Sequence, residues 1–451
     1  MNPESIAQRW NNRALFRLLW PLIIEQILAV TIGVVDTIMV ASIGEYAVSG
    51  VSLVDAINLL LIIAFGALAT GGTVVVSQFI GRRDDKNAAL ASRQLIYAST
   101  VVSLGIMVVT LLLRRPLLRL IYGRITAEVM GAAETYFWFS ALSYPFLAIY
   151  NAAASLFRSV GNSRVTMLVA LLVNLINVAG NGILIYGFGM GVAGAALSTL
   201  FSRAAAALVL VILLMTRPSF PVSLRGLFRV RFDPVIVRSI LNVGIPSGLE
   251  SSMFQIGKIL VSRIFTIFGT AAIAANAISG VINSFAFMPA QAFAIAMLTI
   301  VGQCIGARDP GSARLYTTRL MKLSHLSIFA LSILILVFMN PLVRIFNLTA
   351  EAQRLAKQFL LVHCIFSPFS WPQSFTLPNA LRAAGDSRYC MIVAVISMWT
   401  IRVSAAYLLC FAFGVGPVGV WLAMVADWAL RAVCYTRRWR LGRWQNKTVI
   451  R

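Results

Sequence analysis

Long apolar runs are the feature of this sequence that most restricts its fold. Runs of about 18 or more apolar residues, enough for a helix to cross the hydrocarbon core of a bilayer, recur along the whole chain. Of the 451 residues, 59% are hydrophobic and only 12% are charged, and the mean hydropathy is +0.85. The residue-by-residue alternation of an outer-membrane barrel is absent. The sequence therefore predicts an all-α polytopic membrane protein.

The connectors between the apolar runs predict twelve transmembrane helices in two lobes. The longest connector, 217–238, contains several arginines and prolines and lies near the middle of the chain. It separates an N-terminal lobe at 1–216, with helices one to six, from a C-terminal lobe at 239–451, with helices seven to twelve and a basic tail. We read the connector as a cytoplasmic linker, and we expect helix seven to begin near position 240.

Basic residues are concentrated in the connectors. The chain has 38 Lys and Arg against 15 Asp and Glu, a formal net charge of +23. In a soluble protein this excess would indicate nucleic-acid binding. Here the connectors after helices two, four, six, eight and ten are rich in Lys and Arg, whereas those after helices one, five, seven and eleven have none. This alternation places both termini in the cytoplasm, although the basic segment 114–124 is an exception. We expect no nucleic-acid partner.

The two halves of the sequence repeat each other at an offset of 225 positions (246 − 21). Pro21 and Glu25 align with Pro246 and Glu250, and further glycines and glutamines align at the same offset. Parallel repeats are typical of transporters whose halves rock about a central site. A duplicated helix bundle without transport is the alternative. It does not explain why ionisable residues are retained in predicted membrane helices, where each costs roughly a few kcal/mol.

Helix one contains a proline and two carboxylates. Glu25 lies one turn after Pro21, which lacks an N–H and loosens the helix, and Glu250 is placed in the same way in the second half. We expect these glutamates either to line the inward mouth of a cavity or to satisfy polar contacts near the interface. Asp36 differs from them, because the repeat places Val261 at its counterpart.

The second lobe has its own ionisable residues within predicted helices. Glu250 and Lys258 lie two turns apart, and Arg402 lies in helix eleven. An internal ion pair is the expectation, since unpaired charges there are costly. A counter-ion switch released by substrate is the alternative. In helix four, Tyr136 begins an aromatic group that either faces lipid or packs in the core, or lines a cavity for flat cations through cation–π contacts.

Motifs of enzymes and metal sites are missing from the sequence. The five cysteines are scattered and show no CxxC or His-Cys spacing, so neither a disulfide framework nor a metal site is indicated. There is no Walker A sequence and no HExxH, and two histidines do not suggest a nucleophile–base pair. The sequence therefore predicts a protein that is not an enzyme and needs no cofactor. A membrane-embedded enzyme stays open only as an alternative class.

A series of short motifs resembles one transporter family over nearly the whole chain: multidrug and toxic compound extrusion (MATE) transporters. The resemblance implies two six-helix lobes, rocker-switch alternating access and export of cationic or amphipathic organic compounds against H⁺ or Na⁺. It implies a monomer among the lipids of the bacterial inner membrane, with a role in antibiotic resistance. The motifs are DTIMV at 36–40 with Gly44, SQFIG at 77–81, LFRSVGN at 156–162, GVAGAAL at 191–197, GQCIG at 302–306, and GVWLAM at 419–424 with Asp427, Trp428 and Arg431.

The family's first-lobe cation site can be carried over residue by residue. The resemblance assigns the coupling carboxylate to Asp36, with Asn151, Asn177 and Thr199 as its polar partners. Asn181 stands where the family has a second aspartate. Two adjacent carboxylates can share a proton, whereas one acid among amide and hydroxyl oxygens permits either H⁺ or Na⁺.

The second lobe departs from the NorM-type branch of the family. Phe254 stands where that branch has a glutamate, and helix ten offers His363, Ser367 and Ser370 but no acid. This favours a DinF-like protein or a separate bacterial group. A flippase for a lipid-linked oligosaccharide, from the same superfamily, is the alternative function. It would be expected to have a strongly cationic cavity for phosphate.

Overall fold

The structure is a computed structural model that describes residues 10–123, 126–216, 220–445 and 447–450. Regular secondary structure in these residues is helical throughout. Twelve long helical segments follow one another, which confirms the predicted fold class. They are α1 Asn12–Ala41, α2 Glu45–Gly81, α3 Asp85–Tyr122, α4 Ala127–Ser159, α5 Ser163–Gly187, α6 Gly191–Thr216, α7 Pro234–Ile267, α8 Thr270–Gly306, α9 Pro310–Val337, α10 Ala350–Trp371 continuing through Pro372–Thr376 to Leu377–Ala383, α11 Ser387–Ala412 and α12 Val418–Arg440.

Most of these segments are suited to a bilayer. Within the described ranges, nine of them are long and apolar enough to cross a membrane by length and composition alone. The other three are α4, α7 and α10. A further short helix, Met339–Arg344, lies between α9 and α10.

Helix α7 begins earlier than the sequence predicts. It starts at Pro234 rather than near 240, so the predicted linker is shorter than 217–238. The Asp233 carboxylate accepts hydrogen bonds from the backbone N–H groups of Val235 (2.9 Å) and Ile236 (3.2 Å). Proline at the first helical position needs no hydrogen-bond acceptor, and together these features fix the helix start.

Parts of some sequence-based predictions fall outside the described residues. They are the arm before Trp10, Arg124 in the exceptional basic segment, the start of the predicted linker at 217–219, and positions 446 and 451 of the basic tail.

The chain divides into two compact units, Trp10–Gly248 and Leu249–Val449. In the N-terminal unit, α4 packs against α2, α3 and α6, while α1 packs mainly against α5. The close contact between α2 and α4 depends on Gly50: a Cβ there would lie 2.8 Å from the Ala132 Cβ. Small residues let membrane helices approach in this way. The buried core of this unit includes Phe137 and Tyr144.

The C-terminal unit has a corresponding arrangement. Helix α8 packs against α9 and α10, and α10 and α11 both pack against α12. Its core contains Phe359 and Trp421, whose rings stack 5.5 Å apart. Helix α11 is interrupted by two π-helical turns, Ser397–Val403 and Leu408–Ala412. Such turns widen the helix and are frequent at functional sites.

Candidate functional site

A hydrogen-bonded polar cluster lies within the N-terminal unit. The Asn181 side-chain N–H donates to the Asp36 carboxylate (2.5 Å) and to the Asn177 carbonyl oxygen (3.4 Å). The Asn177 N–H donates to the Thr199 hydroxyl (3.3 Å). The structure therefore brings four of the predicted coupling residues together from α1, α5 and α6.

The local structure of α5 positions the two asparagines. Asn177 and Asn181 are four residues apart, which places them on one face of the helix. The regular helix ends at Asn181, and the π-helical turn Gly182–Gly187 follows at once. The Ser198 hydroxyl donates to the Asn177 backbone carbonyl (2.7 Å) and so joins α6 to the same point of α5.

Asn151 has a different position. It lies on α4, is partly buried, and has no side-chain hydrogen-bond partner among the described residues. It is therefore not joined to Asp36 by hydrogen bonds, and its assignment as a coupling residue stays a prediction.

The structure adds two ionisable residues that the sequence analysis missed, Asp55 on α2 and Arg203 on α6. Both interact electrostatically with Asp36 and with each other. The Asn58 side-chain N–H donates to Asp55 (3.2 Å), and the Arg203 guanidinium donates to the Ser143 hydroxyl (2.7 Å). Both lie inside long apolar runs, where an ionisable residue is itself a functional signal that could have identified them.

Tyr136 belongs to this region as well. Its ring is buried in the core of the N-terminal unit, and its hydroxyl interacts with the Asp55 carboxylate. Nearby, the Tyr144 hydroxyl donates to the side-chain oxygen of Asn58 (2.8 Å). These contacts place Tyr136 beside the acidic residues.

The charges of the cluster do not cancel. When all three groups are ionised, Asp36 and Asp55 contribute two negative charges and Arg203 one positive charge, so the cluster has a net charge of −1. One monovalent cation neutralises it, and a chain of hydrogen bonds links the side chains of Asn177 and Thr199 to the Asp36 carboxylate through Asn181. In a medium of low dielectric constant, an uncompensated charge strongly favours the arrival of a counter-ion.

Glu25 and Glu250 form buried ion pairs related by the internal repeat. Glu25 pairs with Arg158, and its second oxygen accepts from the Thr166 hydroxyl (2.9 Å). Glu250 pairs with Arg382 (2.7 Å). These pairs join α1 to α4 and α7 to α10. Of the two roles expected for the glutamates, lining a cavity mouth or satisfying polar contacts, the ion pairs match the second. Pro21 is buried in α1, which continues through it.

The expected ion pair between Glu250 and Lys258 is wrong. Glu250 is held by Arg382, whose guanidinium is closer in the folded unit although it is distant in sequence. Lys258 has no ion-pair partner among the described residues.

Arg402 does have a carboxylate nearby, on another helix. Its guanidinium lies 3.8 Å from the carboxylate of Asp427 on α12, and that carboxylate is already hydrogen-bonded by Arg431 (2.8 Å). The two arginines therefore share one acid.

The comparisons with known proteins agree with this architecture. The MatE family model matches residues 21–183 and again residues 246–408. The two matched segments are separated by the same offset of 225 (246 − 21 and 408 − 183) that relates the halves of the sequence. The chain belongs to the MATE family of membrane transporters, and the resemblance found in its motifs is confirmed.

Relatives and solved structures match over nearly the full length. An uncharacterized transporter, YisQ of Bacillus subtilis, is 30% identical over 96% of this chain and 95% of its own. A probable multidrug resistance protein NorM of Thermotoga maritima is 28% identical over 97% and 94%. A crystal structure of MATE in the bent conformation has a TM-score of 0.89 at 20% identity and covers 95% of each chain.

One further structural neighbour differs in the polarity of its binding pocket. It is a MOP superfamily transporter from Pyrococcus furiosus, with a TM-score of 0.90 at 20% identity over 99% of this chain and 100% of its own. For that protein a reverse polarity of the binding pocket is said to suggest a different function. These likenesses establish the fold of this chain, while the DinF-like assignment stays a prediction.

Proposed function

We propose that this protein is a secondary active multidrug exporter that antiports cationic or amphipathic organic compounds against H⁺ or Na⁺ by rocker-switch alternating access. Membership of the MATE family and relatives named for multidrug resistance support the class of cargo. The internal repeat supports the mechanism, because two similar halves can rock about a central site. The flippase alternative is not favoured by these relatives.

The observation that carries the proposal is the polar cluster around Asp36. A carboxylate at membrane depth, hydrogen-bonded to Asn181 and left with one net negative charge by Asp55 and Arg203, is suited to take up one cation per cycle. Binding of the cation would neutralise the cluster, and its release would restore the charge. The energy of that charge change in a low-dielectric setting is the means of coupling to an ion gradient.

The coupling ion is either a proton or sodium. The Asp36 carboxylate can take a proton without further ligands, and the amide and hydroxyl oxygens of the cluster supply additional ligands for sodium. No other cofactor enters the proposal.

The distribution of Lys and Arg among the connectors bears on how the chain is oriented in the membrane. We propose a multi-pass protein of the bacterial inner membrane with both termini in the cytoplasm, acting as a monomer among lipids. The Lys- and Arg-rich connectors after the even-numbered helices support this orientation.

Transport in proteoliposomes tests the proposal, with pH and sodium gradients imposed separately and ethidium as the cargo. We expect one of the two gradients to drive export by the wild-type protein. Asp36→Asn should reduce gradient-driven export at least about tenfold, because it removes more than about 1.4 kcal/mol of coupled stabilisation.

The matched control is Asp85→Asn, which changes an exposed aspartate in the first turn of α3 and should transport normally. Normal ethidium export by Asp36→Asn would contradict the assigned role of Asp36. Absence of export by the wild type under both gradients would contradict the transport mechanism itself.

A further inference from the structure

We infer that the C-terminal unit contains a binding site for amphipathic aromatic compounds that bear an acidic group, such as aromatic carboxylates. That such compounds are exported rests on the proposed function. That they bind rests on a cavity in the C-terminal unit.

The site is a cavity of about 490 Å³ formed within the C-terminal unit. Cavities of roughly 300–1,000 Å³ are typical of sites for small organic molecules. Two charged residues, Lys258 and Arg402, are among the described residues that line it, and none of those residues is Asp or Glu. The wall is therefore cationic.

The nearest acid does not cancel this positive charge. Asp427 lies behind the wall, where its carboxylate is bound by Arg431 and lies 3.8 Å from Arg402. One carboxylate and two guanidinium groups leave a net charge of +1, and Lys258 raises the total to +2. Lys258 is exposed and has no ion-pair partner in the described part of the chain.

Several hydrogen-bond donors in the cavity wall also have no acceptor. The Nε and Nη1 atoms of Arg402 and the indole nitrogens of Trp421 and Trp428 are buried and have no hydrogen-bond partner among the described residues. As whole residues, these three are 7%, 6% and 4% exposed. Buried donors without partners are destabilising. A ligand that brings acceptor atoms, above all a carboxylate, satisfies them.

Aromatic rings form much of the remaining wall. Phe287 and Trp371 stack with centroids 4.5 Å apart, and Phe375 stacks on Trp371 at 5.1 Å. Flat aromatic faces favour a planar ring over a flexible polyprenyl chain, because offset stacking and edge contacts add to simple burial of area. The wall therefore recognises an aromatic acid better than a lipid phosphate.

The internal repeat shows that the charged residues of the two units stand at different positions of the repeat. At the offset of 225, Asp36 corresponds to Val261 and Asp55 to Gly280. Arg203 corresponds to Trp428 in the same register. The acids that attract a cation in the N-terminal unit are thus absent from the C-terminal unit, whose cavity instead has Lys258 and Arg402. The anion site is separate from the proposed coupling residues.

Equilibrium dialysis of the full-length protein in nanodiscs of neutral lipid, without any ion gradient, tests the site. The probes share one ring system and differ in charge: 1-naphthylacetate, 1-naphthylacetamide and 2-(1-naphthyl)ethylamine, with empty nanodiscs as the blank. We expect the carboxylate to bind at least about tenfold more tightly than the amine, a ratio that corresponds to one charge-assisted contact. Equal or tighter binding of the amine would overturn the inference.

Substitution of Lys258 locates the binding in the cavity. Lys258→Gln should weaken 1-naphthylacetate about tenfold and leave the neutral amide almost unchanged. Lys258→Glu should reverse the preference in favour of the amine, a result that mere loss of folding does not produce. Lys322→Gln, which changes an exposed lysine on α9 outside the cavity, is the matched control and should bind like the wild type. If both Lys258 variants bind the carboxylate like the wild type, the site is not this cavity.

Two further results separate the possible explanations. A long-chain prenyl phosphate could displace 1-naphthylacetate and bind more tightly than it does, and only when Lys258 is present. That result would contradict the aromatic acid as the ligand and would assign the cavity to a lipid phosphate. Ethidium export by a protein that does not bind the carboxylate would refute this inference alone. Lys258-dependent binding without any export would refute the transport proposal alone.

Discussion

At the scale of single residues, Asp55 and Arg203 determine the charge of the cluster around Asp36. Asn181 places a neutral amide on α5 where relatives are expected to have a carboxylate. The structure supplies a second carboxylate from α2 instead, at Asp55, and a guanidinium from α6 that offsets it. We therefore regard Asp55 and Arg203 as positioning and balancing residues for Asp36 rather than as independent sites.

The charge balance leads to a prediction about Asp55. Asp55→Asn leaves Asp36 opposite Arg203 with no net charge, so the cluster no longer attracts a cation, and gradient-driven ethidium export should fall about tenfold or more. The double variant Asp55→Asn with Arg203→Gln restores a net charge of −1 and should recover part of the export rate.

The proteoliposome assay checks both variants at matched protein amounts. Glu134→Gln, which changes an acid in an ion pair with the exposed Arg115, serves as the control and should have little effect. A double variant no more active than Asp55→Asn would show that charge balance is not the role of Arg203.

At the scale of helices, the repeat-related ion pairs connect elements that are far apart in sequence. Glu25 on α1 binds Arg158 at the end of α4, and Glu250 on α7 binds Arg382 at the end of α10. Each carboxylate is nearly buried, and each lies one turn after a proline that removes a backbone hydrogen bond. Each ion pair ties its helix to a neighbouring helix one turn beyond the proline.

Loss of either carboxylate should therefore destabilise the protein. Glu25→Gln or Glu250→Gln leaves a largely buried guanidinium without its partner, which typically costs about 3 kcal/mol. We expect a lower melting temperature of the purified protein in detergent, measured by tryptophan fluorescence. Glu45→Gln, at an exposed glutamate in the first turn of α2, should melt like the wild type. Unchanged melting of both buried variants would mean that the pairs are not structural.

At the scale of the whole molecule, the chain combines a duplicated helical architecture with different interiors in the two units. The N-terminal unit has an anionic polar cluster, and the C-terminal unit has a cationic aromatic cavity. A repeat maintained in its helices and ion pairs but not in these charges indicates that the halves share a fold and perform different tasks.

The charge of the connectors predicts the orientation of the whole chain. The prediction places Glu45, at the start of α2, outside the cell and Lys86, at the start of α3, in the cytoplasm. A membrane-impermeant maleimide applied to intact cells should therefore label Glu45→Cys and leave Lys86→Cys unlabelled. Both positions are exposed. Labelling of both cysteines after the cells are opened shows that each is reactive.

The parent protein is the background control, since four of its five cysteines are buried and the fifth is partly buried. The reverse labelling pattern would place the termini outside the cell.

The sequence was sufficient for the features that depend on local composition and on order along the chain. Apolar runs and basic connectors predicted the helices, and the offset of 225 predicted the repeat. The helices are predictable because each spanning segment must form its own backbone hydrogen bonds and be apolar over the thickness of the bilayer core. The motif pattern also singled out Asp36, Asn177, Asn181 and Thr199, which the structure brings together.

The tertiary structure alone decided which charges meet. Glu250 lies eight positions from Lys258, yet it pairs with Arg382, 132 positions away. Asp55 and Arg203 come close to Asp36, and Lys258 and Arg402 line one cavity, only because of the way the helices pack. The length of an apolar run indicates how long a helix is. The charges that meet depend on how each helix is rotated and shifted against its neighbours, and this is set by helix packing rather than by local sequence.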